Sequence, residues 1–307
     1  MQVKKINNLI ISFVPAYLLA EVSDEMESCR DFFDFIMQTK AYYELENSGE
    51  QFLQCANINP MVKILAGYLS TLSKESVSYK NSIKLMYSPK FTPRDMLACL
   101  ENFIGFNNGL HFKQINYKTE GGEKKIAANA VERARPEYMD AFERDSLTGH
   151  NYLINNYKKV LCRPDEVQQK SAGMFNHKYI ILIGSTAPLF SDLFEYLNAL
   201  NVKVIYFEYI DALIKSENKN LFSPELILNI TVRLDNIKKI IDSYKKNCPQ
   251  INIGVMHIFP KFSHYEIEDH FFSKNIGEKY LPLEYAGGEK LSERDKIRLE
   301  AFIKIIN

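Results

Sequence analysis

Apolar and polar positions follow two different rhythms along this chain, and the C-terminal half is the more regular. Lys178-Tyr-Ile-Ile-Leu-Ile-Gly184 is a continuous apolar run, the pattern of a parallel strand buried on both faces. An amphipathic stretch, Leu189–Leu200, follows, and then a second apolar run, Asn201–Phe207. Strand, helix and strand within about 30 residues form a βαβ unit. The alternation continues through helix Leu234–Lys246, strand Ile251–Ile258, helix Tyr265–Lys274, strand Tyr280–Glu284 and helix Glu293–Ile306. This half is expected to be a three-layer α/β domain with a parallel sheet.

The first half carries weaker signals. Leu9–Ala20 is apolar and interrupted by Pro15, which reads as a buried strand running into a helix. Over residues 24–46, Met26, Cys29, Phe32, Phe33, Ile36, Met37 and Tyr43 fit helical spacing better than alternation. A second helix follows Pro60, with Val62, Leu65, Ala66, Leu69 and Leu72 on one side. Ser82–Tyr87 is a short strand ending at Ser88-Pro89, and Thr92-Pro93 puts a capping residue before a first-turn proline to start helix Arg94–Phe106. Residues 107–175 are polar and glycine-punctuated, with Ala127–Phe142 and Tyr152–Val160 as surface helices. The weakest stretch, 165–176, sets the expected division: residues 1–170 form an N-terminal α/β domain with a helical linker, and 171–307 form the C-terminal domain.

Composition narrows the function classes. The 307 residues include 38 basic and 38 acidic side chains, with 46% hydrophobic and 25% charged residues. This is a globular composition long enough for two cores. Zero net charge supplies no electrostatic footprint for nucleic acid or an anionic membrane. The doublets Lys124-Lys125, Lys158-Lys159 and Lys245-Lys246 read as solvated faces. Five dispersed cysteines without a C-x-x-C pair point to reduced thiols. Lys4-Lys5 before the apolar Leu9–Ala20 has the outline of a signal peptide, but Asn7-Asn8 and Pro15 break it and no small-x-small site precedes Glu21. The stretch is also short for a bilayer, so a cytoplasmic location is expected.

Candidate chemistry gathers at strand ends, because open α/β sheets bind ligands outside the carboxyl ends of their strands. Those exits are Gly184-Ser-Thr-Ala, Phe207-Glu208-Tyr209, Phe259–His264 and Glu284–Gly288. Gly184-Ser-Thr-Ala-Pro suits an anion at a helix N-terminus, yet it lacks both G-x-G-x-x-G and G-x-x-x-x-G-K-[ST]. His257, His264 and His270 stand near Glu266, Glu268 and Asp269, but their spacing does not align the three on one helical face. No G-x-S-x-G elbow is present.

Several blocks, taken in order, resemble the 2-hydroxyacyl-CoA dehydratase and benzoyl-CoA reductase family of iron–sulfur proteins. They are the Gly-Ser strand end, Asn201–Glu208, His257-Ile-Phe-Pro-Lys-Phe-Ser-His264, Ile267-Glu-Asp269, Tyr280-Leu-Pro-Leu-Glu284 and Arg298-Leu-Glu-Ala-Phe302. The resemblance implies two Rossmann-like, flavodoxin-like domains with parallel sheets and a 4Fe–4S cluster held by three cysteines. It also implies a paralogous subunit in a heterodimer, an ATP-dependent activator, and one-electron ketyl chemistry on an acyl-CoA. Cys29 and Cys55 match the two N-terminal ligands, whereas the third expected cysteine is Ser263, whose hydroxyl is a poor iron ligand. Ser185, Thr186, Ser263 and His264 are the candidates to donate hydrogen bonds to a thioester oxygen as it gains charge. Of these, Ser263 and His264 are assigned to catalysis, and Ser185 and Thr186 to substrate binding.

Two further readings stand beside this one. The chain is a paralogue that has lost the cluster and serves as a non-catalytic subunit or scaffold, or it is a flavodoxin-like module binding a nucleotide or flavin at the Gly184 loop. The second needs a phosphate cradle that the residues do not supply.

Overall fold

The computed structural model describes residues 9–14, 29–32, 35–36, 42–54, 57–89, 92–105, 109–115, 157, 160–162, 178–184, 190–217, 229–263, 265–287 and 290–306. By its contacts the chain divides into two compact units. The first comprises Met1–Lys125 with Pro260–Ser263 and Ala286–Gly288, and the second holds the remainder. The expected division at 170/171 falls in a stretch outside the described residues.

The first unit is built on four strands, β1 (Leu9–Ser12), β2 (Cys29–Asp31), β3 (Ile83–Tyr87) and β4 (Phe112–Gln114). They lie in the order β2-β1-β3-β4, and every pairing is parallel. Residues 29–31 are therefore a strand, where spacing alone predicts helix over 24–46. Cys29 pairs opposite Ile10 in β1. Helices α1 (Tyr42–Leu53), α2 (Pro60–Ser73), α3 (Val77–Asn81) and α4 (Arg94–Gly105) complete the unit. Asn59 caps α2, its side-chain oxygen accepting from the Met61 N–H, and Pro60 takes the first helical position, where no donor is lost. Thr92 does something other than cap α4: its hydroxyl accepts the Ser88 N–H at 3.0 Å.

Helix α2 is apolar on nearly all sides and almost wholly buried. Its Gly67 meets Gly49 of α1 so closely that a Cβ on either would lie 1.9 Å or 1.8 Å from a carbonyl oxygen of the facing helix. The sequence thus permits two backbones to touch where any side chain would hold them apart. Lys63 ends this contact by reaching Glu50 at 2.8 Å.

The second unit contains β5 (Lys178–Ile183), β6 (Val202–Phe207), β7 (Ile253–Pro260) and β8 (Tyr280–Tyr285) in the order β6-β5-β7-β8. Pairings of β5 with β6 and with β7 are parallel. With the strands counted in sequence, both sheets follow the order 2-1-3-4, the flavodoxin-like doubly wound arrangement. Its helices are α5 (Leu193–Ala199), α6 (Glu208–Glu217), α7 (Ile230–Asn247), α8 (Tyr265–Ile276) and α9 (Glu293–Ile305). On one face of the sheet Leu234, Ile237, Ile240 and Tyr244 of α7 and Phe272 of α8 pack on Ile181, Ile183, Ile253 and Val255. On the other, Phe302 of α9 sits over Gly254, close enough that an added Cβ would meet the ring at 2.6 Å. Tyr196 of α5 donates to Glu300 of α9 at 2.8 Å across that layer. Among the described residues no helix is long and apolar enough to cross a membrane.

Candidate functional site

In a 2-1-3-4 sheet the crossovers from the first strand leave in opposite directions, and the gap between them lies at the carboxyl ends of the first and third strands. In the second unit those strands are β5 and β7. β5 is followed by Gly184, whose φ of +146° is one that side-chain-bearing residues rarely adopt. A Cβ there would also fall 2.5 Å from the Ile258 carbonyl oxygen. The backbone of β5 thus presses against β7 where the sheet opens.

Beneath this opening the core is polar. The Gly184 N–H donates to Glu208 Oε2 at 2.8 Å. Glu208 begins α6 directly after β6 and is 4% exposed. Arg233, on α7 and 1% exposed, grips the same carboxylate with two bonds of 2.8 Å, Nε to Oε1 and Nη2 to Oε2. Its Nη1 donates to Glu268 of α8, and its guanidinium carbon lies 5.1 Å from the centre of the Phe272 ring. Burial pulls the Arg233 pKa down, but Glu208 and Glu268 outweigh it and hold the guanidinium charged. Fork geometry makes arginine the side chain for such a clamp.

A second polar line adjoins the first. Tyr280 of β8 donates its hydroxyl proton to Asp269 of α8 at 2.8 Å, and the same oxygen lies 2.8 Å from His257 Nδ1. His257, on β7, is fully buried. Burial first, and then the Arg233 charge, push its pKa well below the usual histidine range, so the ring is neutral. Burial and the Asp269 bond raise the Tyr280 hydroxyl, which keeps its proton.

This arrangement decides one reading. In dinucleotide-binding βαβ units an acidic residue beyond the second strand takes the ribose hydroxyls. Glu208 holds a comparable position, but its oxygens are committed to Arg233 and the Gly184 N–H. Three of its roughly four acceptor sites are used inside the core and the residue is 4% exposed, so Glu208 is not presented to a sugar.

Of the residues singled out from sequence, Ser263 is described in full. It follows β7, is 8% exposed, and donates from Oγ to the Pro260 carbonyl at 2.5 Å. The bond closes a tight turn in which Phe262 takes a φ of +58° with 46% of its surface exposed, and Lys261 Nζ stands 5.1 Å from the centre of its ring. Cys29 is placed in β2 by its backbone. Cys55, Ser185, Thr186 and His264 lie outside the described residues. His270 is exposed on α8 while His257 is buried in β7, so these two do not share an environment. Among the described residues no three His, Cys, Asp or Glu side chains group as a metal site.

The cluster implied by the resemblance can be tested at position 263. A 4Fe–4S core is held by thiolates. The Ser263 hydroxyl is neutral, hard and already spent on a backbone carbonyl, so it does not fit as the third ligand. Cys99, Cys162 and Cys248 are buried and form no disulfide with one another, and burial pushes the thiol of Cys99 up to about 12, opposite to the shift a ligating thiolate needs.

Sequence reasoning named Glu208 only as an acid at a strand end, and missed Arg233 as its partner. The one available signal was an arginine at the start of a helix, beside Leu234 and Ile237 on its buried face.

Compared with known families and characterised proteins, the chain matches no family model and no relative.

Proposed function

We propose that the chain is a divergent subunit of a 2-hydroxyacyl-CoA dehydratase or benzoyl-CoA reductase-like enzyme acting on an acyl-CoA. It would work with a paralogous subunit and an ATP-dependent activator. The observation that carries this reading is the doubled 2-1-3-4 strand order, together with the position of the resembling blocks on the second sheet, its strand exits and its last helix. Asn201–Glu208 forms β6 and its exit, His257–Ser263 the end of β7 and its turn, Tyr280–Glu284 lies within β8, and Arg298–Phe302 lies within α9. In this proposal Ser185, Thr186 and His264 donate hydrogen bonds to the thioester oxygen, where such donors stabilise developing negative charge. Iron at Cys29 and Cys55 is a separate part of the proposal.

One observation favours a second reading, that of a non-catalytic paralogous subunit or scaffold. Ser263 stands where the resemblance expects a thiolate, and its hydroxyl is tied to Pro260.

Anaerobic purification with iron and acid-labile sulfide analysis separates the two. Stoichiometric iron and sulfide, with a spectrum that changes on adding an acyl-CoA, supports the enzyme subunit. An iron-free protein that Ser263→Cys converts to an iron-binding one supports the lost-cluster paralogue. If neither protein takes up iron and neither melts higher with acyl-CoA, the family reading is wrong.

A further inference from the structure

The line Asp269–Tyr280–His257 fixes where each of its protons sits. Tyr280 has a single hydroxyl proton and gives it to Asp269, so toward His257 its oxygen accepts. His257 Nδ1 must therefore carry the hydrogen that spans the 2.8 Å between them. The ring is neutral, so Nε2 bears a lone pair and no proton. That nitrogen is buried and meets no donor among the described residues. Phe259 and Phe272 flank the ring, with centroids 4.7 Å and 5.4 Å away.

The surroundings define what can meet this lone pair. It must donate a hydrogen bond, which excludes an anion lacking a proton. It must be neutral, because the nearby Arg233 charge already opposes a second positive charge at the imidazole. It must be small, because His257 is completely enclosed. Further polar partners belong to the same neighbourhood. Arg233 uses three of its five N–H groups on Glu208 and Glu268, and it shares the Phe272 ring with His257. A buried polar group left unmatched is costly, and internal water is the common remedy.

We propose that His257 Nε2 is the binding site of one buried water molecule, which donates to it and extends the line Asp269–Tyr280–His257 into the core beneath the carboxyl end of β7. The site is independent of the acyl-CoA reading, since none of its residues is among those proposed to hold the thioester or iron.

A crystal structure of the full chain, at a resolution that shows ordered water, tests this directly. A single peak 2.7–3.2 Å from Nε2 is the expected result. In parallel, imidazole 15N spectra of the wild-type protein should show Nδ1 protonated and Nε2 as an unprotonated acceptor. His257→Phe should remove the peak while the neighbouring rings stay in place. Absence of density beside Nε2, a protein hydroxyl in its place, or a ring protonated on Nε2 would each overturn the proposal. The two wild-type measurements decide it even if the variant does not fold.

Discussion

Replacing Arg233 with methionine removes the cation and keeps much of the side-chain volume. Three charge-assisted bonds disappear. Glu268, partly open to solvent with 20% of its side chain exposed, can rehydrate. Glu208 has no such relief: at 4% exposure it keeps only the Gly184 N–H. Removing one partner from a buried pair costs about 3–5 kcal/mol, mostly from the uncompensated charge left behind. With a urea m-value of about 2 kcal/mol/M, that is a midpoint shift of about 1.5–2.5 M. Since the chain has two units, amide exchange at β5 and β7 should accompany the titration, so that the loss is read in the second unit. The sign with pH is specific. An unpaired buried carboxylate has its folded pKa raised above its unfolded one, so its protonated form stabilises the fold at low pH and that contribution is lost as pH rises. The deficit should be largest near pH 7 and smaller near pH 5. A double mutant with Glu208→Gln should cost less than the sum of the two single changes. A loss in Arg233→Met below about 1 kcal/mol at pH 7, unchanged at pH 5, would refute the view of this pair as a buried ionic clamp.

His257 should also make stability depend on pH. Its folded pKa lies below the free value of about 6.5, so the unfolded chain binds the proton first. Stability then falls by about 1.4 kcal/mol per pH unit below 6.5, down to the folded pKa. Arg233, Glu268, Asp269, Tyr280 and Glu208 are the charged and titratable groups of this network, and His257→Phe, which keeps an aromatic ring, should flatten the slope in urea titrations at pH 7 and 5.5. Equal slopes in the two proteins would assign the dependence elsewhere. Gly184→Ala should lower the melting temperature, since it combines an unfavourable φ with a 2.5 Å contact to Ile258, a strain of about 1–3 kcal/mol or more. Gly67→Ala should be at least as damaging, because α1 and α2 must separate, whereas Gly105→Ala, with nothing within 4 Å, is the control expected to leave the melt near the wild-type value.

The second sheet could be read from the residues because its strands are short unbroken apolar runs between turns. Lys178–Gly184 and Tyr280–Glu284 are within a residue of the observed strands. Strand β7 is displaced, running to Pro260 instead of ending at Ile258. A terminal proline is compatible with a strand, since it lacks only a donor. In the first half, β2 hides inside a helical-looking pattern. Cys29-Arg30-Asp31 has neither alternation nor β-branched residues, and parallel pairing with β1 makes it a strand. Helix α1 shows why spacing is incomplete: its tight contact with α2 depends on glycines, which carry no periodic signal. The polar core was illegible for a related reason. Glu208, Arg233 and Glu268 are 25 and 35 residues apart in sequence, and only the doubly wound topology brings their helices to one face.

The repeated strand order has a consequence for how the chain can be handled. The first four-stranded ladder lies within residues 9–114, and the second within 160–285 once the parallel bridge of Leu161 to Val204 is counted; among the described residues no strand pairing joins them. A polypeptide nick placed between these stretches would sever no ladder. Two separately encoded pieces, divided in that interval, should each form its own sheet, so each half of the molecule can be studied as a separate folding unit.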